Sequence, residues 1–128
     1  MTAMKIDRLD HLVLTVRDID ASIAFYTNVL GMTAIAFGHG RRALAFGRQK
    51  INLHPAAAPL GPHAATPMPG SADLCLITAT PLAEVILHLD VRGVAIEEGP
   101  VARTGATGSI MSLYFRDPDG NLIEVSNY

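Results

Sequence analysis

Four ionisable side chains stand in the chain where chemistry would need them: His11, His54, Asp73 and Glu124. Each lies in a short apolar run with the β-branched and aliphatic content of a strand. Strand side chains alternate between faces. In the first run His11, Val13 and Thr15 share a face opposite Leu12, Leu14 and Val16. Elsewhere Asn52 and His54 oppose Ile51 and Leu53, Asp73 and Cys75 oppose Leu74 and Leu76, and Glu124 and Ser126 oppose Ile123 and Val125. One face of every run is purely aliphatic, and the other carries the ionisable groups. Such groups on a partly buried face need partners, and a shared metal is one way to supply them all. Two imidazoles and one or two carboxylates suit a first-row divalent ion and leave positions open for substrate. The expectation is one divalent ion per chain (Zn, Mn, Ni, Co or Fe), held by His11, His54 and Glu124.

Other side chains on the same face are candidates for handling a substrate. Ser112 and Tyr114 share it, and Tyr114 could orient or protonate a bound molecule. Asn52 also belongs there. The loop Arg103-Thr-Gly-Ala-Thr-Gly108 offers a guanidinium and backbone N–H groups to an anionic substrate. Cys75 is the single cysteine, which excludes an intrachain disulfide and a cysteine-based zinc site. It reads as a small buried hydrophobe. His39, His63 and His88 read as solvated.

The elements that must position these groups come in two matching sets. A shift of 62 residues lays His11-Leu-Val-Leu-Thr-Val16 on Asp73-Leu-Cys-Leu-Ile-Thr78. It also lays Asp18 on Thr80, both residue types that cap helix N-termini, and Gly31 on Gly93, both placed to end a helix. Each half predicts strand, helix and three more strands. The first has a strand over Leu9–Val16, a helix over Asp18–Leu30 with Ile19, Ile23, Tyr26 and Leu30 on one stripe, and strands near Thr33–Phe37, Arg42–Phe46 and Lys50–His54. The second has a strand over Ala72–Thr78 and a helix capped by Thr80, with Pro81 at its first position and Leu82, Val85, Ile86 and Leu89 inward. Its other strands are expected near Val94–Glu98, Ile110–Phe115 and Leu122–Ser126. Asp117-Pro-Asp-Gly120 fits a type I turn. The fold class is therefore α+β: two tandem βαβββ modules, about 5–54 and 71–128, forming a curled mixed sheet around a cavity. A proline-rich connector over 55–70 joins them into a single domain.

At 128 residues the chain can bury a real core. Its formal net charge of -2 is scattered, with no basic stripe for nucleic acid. No apolar run approaches the roughly 20 residues that cross a bilayer, and the amino-terminal residues lack the apolar stretch of a signal peptide. The expected setting is cytoplasmic and away from membranes. A half-open sheet of this size leaves apolar edges that a second copy would cover, so a homodimer is expected.

The sequence resembles the vicinal oxygen chelate superfamily, the glyoxalase, bleomycin-resistance and extradiol-dioxygenase group. The resemblance rests on Arg8-Leu-Asp-His-Leu-Val-Leu-Thr-Val16, on Phe25-Tyr26 before Leu30-Gly31, and on Tyr114-Phe-Arg-Asp-Pro-Asp-Gly-Asn-Leu-Ile-Glu-Val125. Arg42-Ala-Leu-Ala-Phe-Gly47, Lys50-Ile-Asn-Leu-His54, Pro69–Thr78 and Glu97–Gly105 are similar to the glyoxalase domain-containing protein 5 group. The resemblance implies paired βαβββ modules around a cavity, with metal ligands at His11, His54, Asp73 and Glu124. Asp73 stands where a His or Glu is commoner, and it either ligates or orients a ligand or water from behind. The implied function is a metal-dependent lyase or isomerase on a small molecule with neighbouring oxygens, with Glu124 moving a proton. The alternatives are an Fe(II) extradiol dioxygenase, and a protein that sequesters a small molecule without catalysis.

Overall fold

The computed structural model describes residues 3–128. The element order is β1 (His11–Val16), α1 (Ile19–Asn28), β2 (Thr33–Phe37), β3 (Arg41–Phe46), β4 (Gln49–Pro55), β5 (Asp73–Ile77), α2 (Leu82–Val91), β6 (Glu98–Thr104), β7 (Ser109–Arg116) and β8 (Leu122–Asn127). Both βαβββ modules are present. The strands form two four-stranded sheets, ordered β1-β4-β3-β2 and β5-β8-β7-β6, each curled but not closed.

In each sheet the helix carries the chain from the first strand to the far edge, and the last strand of the module returns to pair parallel with the first. The intervening strands are joined as antiparallel neighbours. The aliphatic faces turn toward the helices, as the alternation requires. Leu14, Val16, Ile51, Leu53, Leu113, Phe115, Ile123 and Val125 are buried in one core with Tyr26 of α1 and Leu82 and Leu89 of α2. Phe25 meets Tyr26 edge-on at 5.3 Å between ring centroids, a favoured aromatic geometry.

Asp18 caps α1 as expected, its carboxylate accepting from Ala21 N at 3.0 Å. Thr80 does not cap α2. Pro81 occupies the cap position and makes no side-chain cap bond. The capping acceptor arrives instead from β8, where Asn127 Oδ1 accepts from Leu82 N at 3.0 Å. The amide N–H groups of Asn127 donate to the carbonyls of Thr78 and Thr80. A cap supplied from 45 residues away leaves no local signature.

The sixth strand also differs from expectation, running over Glu98–Thr104 rather than Val94–Glu98. Val94 and Ile96 pack against the core from an irregular segment. Their alternation mimics a strand although only Glu97 N reaches the neighbouring Tyr114 carbonyl. The Gly99-Pro100 pair, which looks like a strand terminator, sits inside β6 at a register shift between Glu98 and Val101. Pro is tolerated at such a bulge because no ladder N–H is needed there.

The Asp117–Gly120 turn forms as expected, with Gly120 N donating to the Asp117 carbonyl at 3.0 Å. It also clasps the two modules together. Asp117 Oδ2 accepts from the Tyr26 hydroxyl at 2.7 Å and from Asn121 Nδ2 at 2.8 Å. Asp117 Oδ1 accepts the backbone N–H groups of Asp119 and Asn121. Asp119 accepts from Arg17 N just after β1, and Asn121 Oδ1 accepts from Ala72 N just before β5. Gly70 fits the same junction because an added Cβ would stand 2.7 Å from the Asp119 carbonyl oxygen.

Candidate functional site

Cross-strand partners point to the same side of a sheet, so the registers define what each open face presents. On the first sheet, His11 is level with Lys50, Val13 with Asn52, and Thr15 with His54. Asn52 is level with Ala43, and Ala43 with Ile35; Phe37 is level with Arg41. On the second sheet, Asp73 is level with Leu122, and Cys75 with Glu124. Glu124 faces Tyr114, and Ser126 faces Ser112. The side-chain alternation read from the sequence is confirmed throughout.

His11 opens β1, and its side chain is 42% exposed. Its Nδ1 is 2.8 Å from Asp10 Oδ2. The His11 hydrogen bond holds the Asp10 carboxyl below its usual range, with the nearby charges of Arg8 and Lys50 adding to the effect. The other ring nitrogen makes no hydrogen bond among the described residues. A carboxylate on one imidazole nitrogen fixes the tautomer and leaves the other to act as a ligand.

Glu124 occupies the middle of β8, beside a cavity of about 260 Å³ lined by Cys75, Ile77, Thr104 and Tyr128 among others. The Ser112 hydroxyl donates to Glu124 Oε2 at 2.6 Å, and Ser112 and Ser126 share a bond of 2.7 Å. Ser112 is fully buried. One carboxylate oxygen is therefore pinned while Oε1 makes no hydrogen bond among the described residues. Tyr114 lies across the ladder from Glu124, and its hydroxyl accepts from Arg103 Nε at 3.0 Å. Arg103 also bonds Glu98 at 3.1 Å and lies over the Tyr114 ring. Arg103 thus belongs to β6 rather than to a free loop; the turn proper spans 105–108.

Cys75 is exposed on the open face, not buried as expected. Partial desolvation raises its thiol pKa and the Glu124 charge adds to this, against a Ser126 hydrogen bond that lowers it. That environment disfavours a thiolate nucleophile. His39 and His63 are exposed, as anticipated. His88 is not simply solvated: its Nε2 is 2.8 Å from the Val29 carbonyl at the end of α1.

One chain does not gather the expected ligands at a point. Among the described residues, no three His, Cys, Asp or Glu side chains are placed to hold one metal. His11 and His54 share a face, but their rows are four residues apart, or about 13 Å at the usual strand rise. Asp73 and Glu124 lie on the other sheet. The registers add a relationship that sequence alignment alone hides. With His11 equivalent to Asp73, the residue matching Glu124 in the first module is Asn52, not His54. Asn52 is 4% exposed, and its Oδ1 has no hydrogen-bond partner among the described residues. His54 is also 4% exposed, and neither ring nitrogen has a partner among the described residues. Desolvation, then the charges of Arg41 and His63, lower its pKa from the usual 6.5.

The family model of the Glyoxalase/Bleomycin resistance protein/Dioxygenase superfamily matches residues 8–125. The chain belongs to that superfamily. It is 59% identical over 125 residues to virulence protein STM3117 of Salmonella typhimurium, covering 98% of this chain and 87% of that protein. The crystal structure of that protein superposes with a TM-score of 0.96, covering 98% of this chain and 99% of the other. An integron cassette protein from the mobile metagenome of V. cholerae is 59% identical with a TM-score of 0.97, covering 99% of both chains. Glyoxalase domain-containing protein RDO1 of Mycosarcoma maydis is 51% identical over 98% of this chain and 70% of its own length.

Proposed function

We propose that this chain is a metal-dependent lyase or isomerase acting on a small molecule with neighbouring oxygens, its site completed between two copies of the chain. The observation that carries this reading is the state of His11. Its imidazole is oriented by Asp10 through one nitrogen, while the other makes no hydrogen bond among the described residues. Glu124 presents the matching carboxylate, with one oxygen held by Ser112 and the other making no hydrogen bond among the described residues. These donor types fit a first-row divalent ion. The two groups stand on separate sheets, and a second copy that sets one open face against the other would bring an imidazole to a carboxylate. Val13 and Ile77, 43% and 54% exposed on those faces, would be covered at the same time.

His11 and Glu124 would hold the ion, with Asp73 and Asn52 at the two equivalent positions. When bound, the ion would polarise a substrate oxygen and lower the cost of the negative charge that forms there. Glu124 is the base of the reading, suited to moving a proton at the carbon beside that oxygen. Ser112 keeps the Glu124 carboxylate aimed, and Tyr114 stands one cross-strand position away to orient the substrate. His54 lies two residues further along β4 than Asn52 and supports the site from that row.

The test loads the protein with Zn(II), Mn(II), Ni(II) or Co(II) and offers 2-oxoaldehyde thiol adducts, then loads it with Fe(II) and offers catechols under oxygen. Turnover of adducts that falls steeply in Glu124→Gln, with substrate binding largely kept, is the expected result. Ring cleavage by the Fe(II) form alone would replace the lyase reading with the dioxygenase one.

A further inference from the structure

The open face of the first sheet carries two cations that make no salt bridge among the described residues. Arg41, Lys50, Asn52 and His54 share it, together with Phe37 and the small residues Ala43 and Ala45. The Lys50 Nζ lies 4.0 Å from the centroid of the Phe37 ring, and the Arg41 guanidinium carbon lies 4.8 Å from the same centroid. Two cations are therefore held within about 9 Å of each other on one aromatic ring. Neither lies within salt-bridge distance of a carboxylate among the described residues, whereas Arg17, Arg42, Arg103 and Arg116 each do. Asp10, at the edge of the face, feels the Lys50 charge but bonds to His11. Asn52 lies two residues along β4 from Lys50 and level with Ala43; it is 4% exposed, and among the described residues its Oδ1 has no hydrogen-bond partner.

We propose that Arg41, Lys50 and Asn52 form a subsite for an oxyanion group, a carboxylate or a phosphoryl, carried by the small molecule this protein binds. Like charges held together are costly. An oxyanion neutralises the two cations and accepts from the Asn52 Nδ2–H group. Phe37 fixes the cations without consuming their hydrogen-bond donors, so the guanidinium fork and the ammonium stay available. Ala43 and Ala45, level with Asn52 and Lys50, add no long side chain to this part of the face. The subsite lies on the same face as His11, so the ligand's anionic end and its reacting end would share that face. Calling the ligand a substrate rests on the function proposed above; the anion binding itself needs neither metal nor turnover.

The test uses chelator-treated, isotopically labelled protein titrated with inorganic phosphate and with malonate, at constant ionic strength against chloride. The expected result is saturable shifts at the Asn52 side-chain amide and the Arg41 Nε–H with at least one probe. The probe that saturates at lower concentration identifies the group as phosphoryl or carboxylate. Lys50→Met and Arg41→Gln should each weaken binding by about tenfold, the loss of one charge-assisted contact, while Lys50→Arg keeps most of it. Unchanged spectra away from the face show that the variants fold. Shifts scattered over unrelated basic residues, or binding that survives both substitutions, would overturn the proposal. So would a Lys50→Met variant that turns monomeric with its phosphate response intact, because the cations would then serve contacts with carboxylates of a second copy. A protein that binds phosphate here yet holds no metal would leave this inference standing and remove the lyase reading.

Discussion

The hydroxyl of Tyr26 donates to Asp117 Oδ2 at 2.7 Å, fastening the helix of the first module to the turn that feeds the last strand of the second. Both residues are buried. Burial, together with the hydrogen bond and charge of Asp117, pushes the Tyr26 phenol pKa strongly upward, so the hydroxyl keeps its proton and acts as a donor. The turn also receives Arg17 and holds Ala72 through Asn121. Its geometry sets where β8, and therefore Glu124, begins. Phe at position 26 would leave a buried carboxylate short of one donor. Tyr26→Phe should cost about 1.5–3 kcal/mol, the range for a hydrogen bond to a charged group. The check is the urea midpoint at unchanged slope.

A second expectation concerns acid. The His54 pKa is lowered from 6.5 by burial first, with the charges of Arg41 and His63 adding to it. Below about pH 6.5 the unfolded chain therefore takes up a proton at this site that the folded chain resists. The His54 contribution to stability should be fully present above that pH. It should be lost progressively as the pH falls from there through the folded pKa. His54→Gln should flatten the fall between about pH 6.5 and 5. Parallel urea midpoints for wild type and variant across that window would show that His54 is not the group responsible.

A third concerns assembly. The proposed site needs two open faces, and one chain of 13.6 kDa presents them separately. Light scattering at micromolar concentration should give twice the chain mass. The Ile77→Asp variant places a charge on an exposed apolar position of the second face and should shift the protein toward monomer. A wild type that scatters as a monomer would refute the shared site while leaving the fold untouched.

Most of the architecture was legible because it rests on local signals. The alternation in β1, β4, β5 and β8 sorted aliphatic from ionisable faces, and Asp18, Gly31 and Gly93 bounded the helices through backbone chemistry close in sequence. What stayed hidden depends on distant partners. Asn127 caps α2 from the other end of the module, so Thr80 looked like the cap. Val94 and Ile96 alternate like a strand, yet they pack as an irregular segment ahead of a bulged β6. The site was legible in its residue types but not in its geometry. Periodicity of two puts His11, Asn52 and His54 on one face, but only the β1–β4 register shows that Asn52, rather than His54, matches Glu124. Ser112, read as a substrate contact, also holds the Glu124 carboxylate, which the sequence alone does not show.

The measurement that bears most directly on the account is calorimetric titration of chelator-stripped protein with divalent ions at pH 7.5, supported by elemental analysis of the protein as purified. The account predicts about one ion per chain. Binding should be lost sharply in His11→Ala and Glu124→Ala, and should be weakened less, on the order of 10–100-fold, in Asp73→Ala if that carboxylate orients a ligand rather than binding the ion itself. Absence of any binding by the wild type, or binding that survives both His11→Ala and Glu124→Ala, would contradict it.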